Sequence, residues 1–538
     1  MQGKAQPGRW GGASHDLDPR TRAFAREQLG EPVKVQPPSM RELLPSQLTE
    51  GQCAELFPGV TVGLTDTERA RHARGMSYVD LLAWRETASL MPAPDAVIFP
   101  RTHEQAQAAL EVCSREGIAV VPVGGGTSVT GGITAENTAP GSAPRPRVVV
   151  ISTERLDEVV MVDDVSGIAH VGAGVTGPQL EASLEASGWT LGHFPQSWER
   201  ASVGGFIAAR SSGQASSGYG RIEDMLLSAR LATPVGTWDV GGYPAASSGP
   251  DLRHVVLGSE GTLGVITSAH LRLSRRPSIR EYAGVVVPGE FSQAAGALRE
   301  LTRSPLRPTV LRASDSFETA ALLSMSLPTG VVGWLFSRYL SIRGALPGSL
   351  IILGWEGTDR AQVNAARAFA RDTLEGAVWL GSRPGKSWER GRFHGPYLRD
   401  GLMDEGYLVE TFETVTTWAN LDALHASVRS AAAQVLGANS YVMAHISHTY
   451  ATGASLYFTV LAGGWSDPHT SSMRWMEAKA VITDAITSGG GALSHHHGVG
   501  RDHRPWLPGQ VGPIGMQVLR GIKAAVDPTS VMNPGALL

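Results

Sequence analysis

The chain has 538 residues, with 46 Lys and Arg against 50 Asp and Glu and a net charge of −4. That length exceeds what one hydrophobic core serves and calls for two or three domains, while the even charge balance, with no block of one sign, excludes a nucleic-acid-binding tail. Cys53 and Cys113 are the only cysteines, too few for a disulfide framework or the simplest mixed zinc cluster, which predicts a reducing, cytoplasmic setting.

The opening MQGKAQPGRWGGASHDLDPR is polar and glycine-rich, so no secretory signal or membrane span is expected there. Through about residue 90 the pattern predicts helices with loops: RTRAFAREQLG ends on a glycine cap, and PPSMRELLPSQL and SYVDLLAWRETAS carry apolar residues at three- and four-residue spacing. Over residues 91–276 strands and helices alternate. THEQAQAALEVCSREG places Ala106, Ala109, Leu110 and Cys113 on one helical face, and IAVVPV is a buried strand entering a glycine loop. RVVVIST, EVVMVDD and IAHVGAG are short strands and TGPQLEASLEASG is a helix. HVVLGSEGTLGVITSAHLRL closes the region as strand, glycine turn and strand. The class is α+β rather than regularly doubly wound. Residues 277–500 form a second α+β unit suited to capping a site, with strands EYAGVVVPG, PTVLRASD and GSLIILGWEG and helices TDRAQVNAARAFARDTLEG and TTWANLDALHASVRSAAAQVLG. Between them LPTGVVGWLFSRYLSIRGALPGSLIILGW is broken by Arg338, Arg343 and Pro347, short of the roughly 20 apolar residues a span needs. It reads as two core segments joined by a turn, with a position on a membrane surface as the alternative. WMEAKAVITDAITSGGG, with Trp475, Ala478, Ile482, Ala485 and Ile486 on one face, then delivers the chain to SHHHGVG.

PVGGGTSVTGG, Pro122 to Gly132, places five glycines in nine residues after a strand. Such a loop lets backbone N–H groups converge on a diphosphate, with the Thr127 and Ser128 hydroxyls as further donors. It is neither GxGxxG nor a P-loop, so NAD and ATP are not its natural ligands, and a glycine hairpin without function is the plain alternative. PQSWERASVGGFIAARSSG and GSEGTLGVIT add two more small-residue stretches. Together the three suit close backbone approach to a long cofactor. For His495, His496 and His497, adjacent residues in an extended chain point to opposite faces and zinc prefers ligands spaced by two or more. No metal is therefore assigned, and one or two of the three are expected to act as base and hydrogen-bond partner near neutral pH.

Through PVGGGTSVTGG and GSEGTLGVIT the chain resembles the FAD-binding oxidoreductases of the vanillyl-alcohol oxidase (PCMH) type. WGG near Trp10, FET at Phe412 to Thr414, ASLYF at Ala454 to Phe458, SHHHGVG and VDPTSVMNPG make it similar, within them, to the alkyldihydroxyacetonephosphate synthases. The resemblance implies an N-terminal helical segment over 1–90, a two-subdomain FAD-binding domain over 91–276, an α+β cap domain over 277–500, and a segment over 501–538 completing the flavin and active-site region. It implies non-covalent FAD held by Pro122, Gly124, Gly125, Gly126, Thr127, Ser128, Gly131, Ser197, Ser202, Gly204, Gly205, Arg210, Ser211, Glu260, Gly261, Gly264 and Ile266. It further implies that an acylated dihydroxyacetone phosphate bonds to the flavin N5, loses its fatty acid and takes up a fatty alcohol. Tyr457, His495, His496, His497 and Arg312 would carry the chemistry, with Arg399 and His445 on the substrate. An arginine suits a phosphate because its planar fork donates two parallel bonds. Animal members carry an arginine where His445 stands, and His448 also differs. Lipid substrates, peripheral membrane contact, a homodimer, no nucleic-acid partner and, from the ALL terminus and the composition, a bacterial source complete the expectation. The alternative is an FAD-dependent 2-hydroxy-acid dehydrogenase; those enzymes show a metal-binding GHxGDGNLH stretch where this chain has SHTYATGASLYF, with Tyr457 in place of the last histidine.

Overall fold

The computed structural model describes residues 7–11, 17–86, 90–135, 146–326, 330–463 and 468–538; Gly12 of WGG and residues 327–329 of the apolar stretch lie outside them. Near the N-terminus the helix Pro19–Leu29 starts on the Asp18 carboxylate, which accepts from the Arg20 and Thr21 N–H groups, and ends at Gly30. PPSMRELLPSQL, expected as a helix, is not one. Pro37, Pro38 and Pro45 bias the residues before them away from helix, and Leu43 instead makes a β-bridge to Met91.

The first domain holds two sheets. One has the strands Thr61–Gly63, Ala96–Phe99, Val148–Ser152 and Ala119–Val123 in that spatial order, the last three parallel. Parallel strands covered on both faces need continuous apolar runs, and every residue of Ala96–Phe99 and Val148–Ser152 is buried. The helix His103–Glu116 packs Ala106, Ala109, Leu110 and Cys113 inward. The other sheet is antiparallel, in the order Val159–Asp163, Ile168–Gly172, Val265–Arg272, Leu226–Thr233 and Gly236–Gly241. HVVL, expected as a strand, is the short helix Arg253–Val256; an apolar run this short does not distinguish the two by pattern.

The cap is a seven-stranded antiparallel sheet in the order Val378–Gly381, Ile279–Pro288, Gly348–Gly357, Val310–Ser314, Ser440–Thr449, Gly453–Ala462 and Leu408–Thr417. Side chains alternate between its faces. Phe412, Ala444, Ile446, Leu456, Phe458 and Val460 enter the core with Leu298, Val428, Trp475, Ala478, Ile482 and Ile486 of the covering helices. Arg312, Met443, His445, Ser447, Tyr457 and Thr459 take the opposite face, toward a cavity against the first domain. Of the apolar stretch, the strand Gly348–Gly357 is buried, but the helix Val331–Ile342 exposes Val331, Trp334, Leu335 and Ile342, so only its second half is a core segment. No helix among the described residues is long and apolar enough to cross a membrane. The C-terminal segment returns to the first domain: Met532 bridges Val120, and the Asn533 side-chain amide donates to the carbonyls of Gly132 and Glu260.

Candidate functional site

The cavity between sheet and first domain holds about 480 Å³, within the roughly 300–1,000 Å³ range of small-molecule sites. Its first-domain wall is formed by Pro122, Gly124, Gly125, Gly126, Thr127, Ser128, Ser197, Ser202, Gly204, Gly205, Ser211, Glu260, Gly261, Gly264 and Ile266. Facing it are Arg312, His445, Tyr457, His496 and His497, with Arg399 from the helix Gly395–Asp404. Gly131, Arg210 and His495 do not line it. Gly131 abuts Asp502 and Arg501, Arg210 is ion-paired with Glu223, and His495 is buried behind His496, its Nδ1 at 2.9 Å from the neighbour's Nδ1.

Most glycines of the wall have no room for a side chain. A Cβ at Gly125 would stand 2.0 Å from the Arg200 carbonyl oxygen, one at Gly124 2.3 Å from Ser202 Oγ, and Gly126 has φ +69°. The cavity is also lined by buried polar atoms without a hydrogen-bond partner: Thr153 Oγ1, Gln214 Oε1, Arg399 Nε and His448 Nε2. Buried polar atoms are normally satisfied, so a bare backbone cradle edged with such donors and acceptors fits a long polar cofactor. One arm of the lining is apolar: Phe24, Leu402, Met443 and Leu461 pack in one cluster with Met325, and Leu322 lines the cavity as well.

The histidine run is not extended. It curls around the carboxylate of Glu413, whose Oε1 accepts from Ser494 Oγ (2.7 Å), His496 N (3.0 Å) and His497 N (2.8 Å) and whose Oε2 accepts from His495 N (2.7 Å). Successive N–H groups converging on an anion form a nest, and the curl gathers imidazoles that an extended chain would separate. Nitrogens of His448, His495 and His496 thus lie within 4.8 Å of one another. Both ring nitrogens of His495 are nevertheless occupied, Nδ1 by His496 and Nε2 by the Tyr450 hydroxyl at 2.5 Å. The following GVG is held by Glu260, which accepts from Val499 N (2.6 Å) and Gly500 N (2.7 Å). Two carboxyl groups, one from each domain, therefore fix the loop.

Charge states follow from these surroundings. Burial opposes ionisation of Glu413, but His496, His497, His495 and the Ser494 hydroxyl outweigh it and hold the carboxyl well below the usual range. Burial pushes Glu260 up to about 7 against its two backbone donors. It also lifts the Tyr457 phenol to about 12, with Glu410 and Glu413 reinforcing the rise, and lowers His496 and takes His497 to about 3. At neutral pH Tyr457 keeps its proton and the imidazoles are neutral. His445 stacks on Tyr457 at 4.9 Å and shares with Arg312 the Glu318 carboxylate, at 3.1 and 2.8 Å. Burial opposes the charge on Glu318, yet His445 and Arg312 bring it down to about 2. Glu413 lies in FET, where nothing local in the sequence assigns it a role. Glu318 and Tyr450 carry no sequence signal, because their importance depends on strands and loops distant in the chain.

Residues 94–240 match the FAD binding domain family, and residues 276–537 the C-terminal domain of FAD linked oxidases. The chain is 34% identical over 524 residues to alkyldihydroxyacetonephosphate synthase of Dictyostelium discoideum, covering 94% of this chain and 82% of that protein. It is 34% identical over 487 residues to the enzyme of the same name from Trypanosoma brucei brucei, covering 87% and 77%. A solved structure of alkyldihydroxyacetonephosphate synthase aligns with a TM-score of 0.80 at 31% identity, over 96% of this chain and 92% of that one.

Proposed function

Because the chain belongs to the alkyldihydroxyacetonephosphate synthase family of FAD-dependent enzymes, we propose that it replaces the acyl group of an acyl-dihydroxyacetone phosphate with a fatty alcohol. The observation that carries this reading is a single cavity that joins the glycine wall, the Arg312–His445–Tyr457–His496–His497 face and the apolar arm. The glycines from Gly124 to Gly126, with Thr127, Ser128, Ser197, Ser202, Gly204, Gly205, Ser211 and Glu260 to Ile266, would hold the FAD along that wall. When bound, the flavin supplies covalent catalysis at its N5.

The chain's own residues divide the remaining work. Arg312 and Arg399 offer guanidinium groups to the phosphate, and Glu318 fixes the Arg312 fork from behind. His496 and His497, neutral at pH 7, accept the proton leaving the substrate carbon, and Tyr457, which retains its own, returns one to it. Phe24, Leu322, Met325, Leu402 and Leu461 exclude water along the chains of the leaving acid and entering alcohol. Leu322 packs in one cluster with Phe336 and Leu340 of the helix Val331–Ile342. That helix exposes Trp334 and Leu335, which favours collection of these substrates from a lipid surface.

The test is anaerobic mixing of the FAD-loaded protein with the acyl substrate alone. Flavin bleaching with release of one fatty acid per bleached flavin is expected. Bleaching by D-lactate or D-2-hydroxyglutarate, with no fatty acid released from the acyl substrate, would overturn the reading in favour of a 2-hydroxy-acid dehydrogenase.

A further inference from the structure

His496 faces the cavity, yet its Nδ1 is turned away, toward His495 Nδ1 at 2.9 Å. His495 in turn places its Nε2 2.5 Å from the Tyr450 hydroxyl. A neutral imidazole has one N–H and one lone pair, so this chain of contacts has two self-consistent polarities. In one, Tyr450 donates to His495, His495 donates to His496, and His496 presents Nε2–H to the cavity. In the other every bond is reversed and His496 presents a lone pair. Tyr450 sits at the turn between the strands Ser440–Thr449 and Gly453–Ala462, part-exposed. Nearby, Arg221 donates to the His495 carbonyl, and Glu223 is ion-paired with Arg221 and with Arg210, whose side chain is 43% exposed. The Tyr450 hydroxyl also bonds to the side chain of Ser212 in the first domain, so the row runs from the cavity to the seam between the domains.

We propose that Tyr450, His495 and His496 form a proton relay linking the cavity with solvent at the domain seam, with Tyr450 and His495 as positioning residues that set which face His496 shows to the substrate. A proton leaving the substrate bonds to His496 Nε2 as the Nδ1 proton passes to His495 Nδ1. The His495 Nε2 proton passes to the Tyr450 oxygen, and the Tyr450 hydroxyl proton leaves to water. One proton enters and one leaves, and no electrons are transferred. Burial disfavours a standing imidazolium on His495 or His496, which is the condition under which concerted passage serves better than storage. Glu413, His448 and His497 surround the row; Glu413 accepts from Ser494 Oγ and three backbone N–H groups and holds its Oε2 3.5 Å from His496 Nδ1 and 3.9 Å from His495 Nδ1, and His448 Nδ1 faces Ser447 and Ser455.

The identity of the proton donor rests on the function proposed above; the relay itself is tested without it. In the FAD-loaded protein, proton NMR should show a solvent-protected histidine ring N–H at low field that is lost or displaced in Tyr450→Phe. Exchange of substrate carbon-bound protons in D2O should slow about 100-fold in that variant, with KM and FAD content unchanged. The proton inventory should pass from bowed to linear. His495→Gln cuts the same row, and the double variant should be no slower than the slower single one. A ring resonance indifferent to Tyr450, or exchange within twofold of wild type with an unaltered inventory, overturns the relay. A wild-type protein with the resonance but no exchange overturns the substrate reading instead.

Discussion

Replacing Glu413 by Gln alters one oxygen of a carboxylate that accepts four hydrogen bonds, three of them from the consecutive N–H groups of His495, His496 and His497. The amide carbonyl can take the Oε1 position and keep the donors from Ser494, His496 and His497. The NH2 group then faces the His495 N–H, which loses its acceptor while buried. Loss of a charge-assisted hydrogen bond costs about 1.5–3 kcal/mol, so Glu413→Gln should destabilise the protein by about 2–3 kcal/mol. Glu413→Ala strands all three N–H groups and should cost about 4–6 kcal/mol. The pH dependence has a definite sign. Because the folded carboxyl lies well below its ordinary value of 4.5, its contribution is present above that value and is lost as pH falls through the lower folded one. The penalty should be complete at pH 7 and begin to shrink near pH 4. Urea unfolding of the FAD-loaded variants, followed by tryptophan fluorescence, measures it. A Glu413→Gln protein within about 0.5 kcal/mol of wild type at pH 7 would refute the view that this carboxylate shapes the histidine loop.

Three other substitutions probe separate parts of the site. Tyr457→Phe removes only the phenolic proton, so kcat should fall about 100-fold or more while FAD binding stays as in wild type; an active variant would remove Tyr457 from the proton chemistry. In Gly125→Ala the new Cβ must displace the Arg200 carbonyl from 2.0 Å, and the purified protein should carry little FAD, as its absorbance near the flavin band will show. Glu260, raised from 4.5 to about 7, keeps in the fold a proton that the unfolded chain releases, so wild-type stability should fall by roughly 3 kcal/mol at most as pH rises from 4.5 through 7. Glu260→Gln lacks this slope and should gain on wild type over that range in parallel urea titrations; a constant difference would contradict it.

Much of the site was legible because glycine and local periodicity announce themselves. PVGGGTSVTGG and GSEGTLGVIT both lie on the cavity wall, since a backbone that admits no Cβ can be built in few other ways. The α+β class followed from strand and helix runs whose cores are buried as their spacing predicts, as in the helix His103–Glu116. Long-range partners were not legible. SHHHGVG reads as extended because nothing in it shows that Glu413, 82 residues before His495, pulls the N–H groups of His495, His496 and His497 inward. The family resemblance implies a place for Arg210 on the wall, but Glu223 draws its side chain into an ion pair. PPSMRELLPSQL had helical spacing, yet its prolines decided the backbone.

The central claim is that one cavity exchanges an acyl for an alkyl chain on a phosphorylated three-carbon unit. It is tested most directly by mass spectrometry of products from FAD-loaded protein given acyl-dihydroxyacetone phosphate and hexadecanol without oxygen or any electron acceptor. One molecule of hexadecyl-dihydroxyacetone phosphate is expected for each fatty acid released, over many turnovers. Unchanged substrates, or a product that forms only when an electron acceptor is supplied, would contradict it.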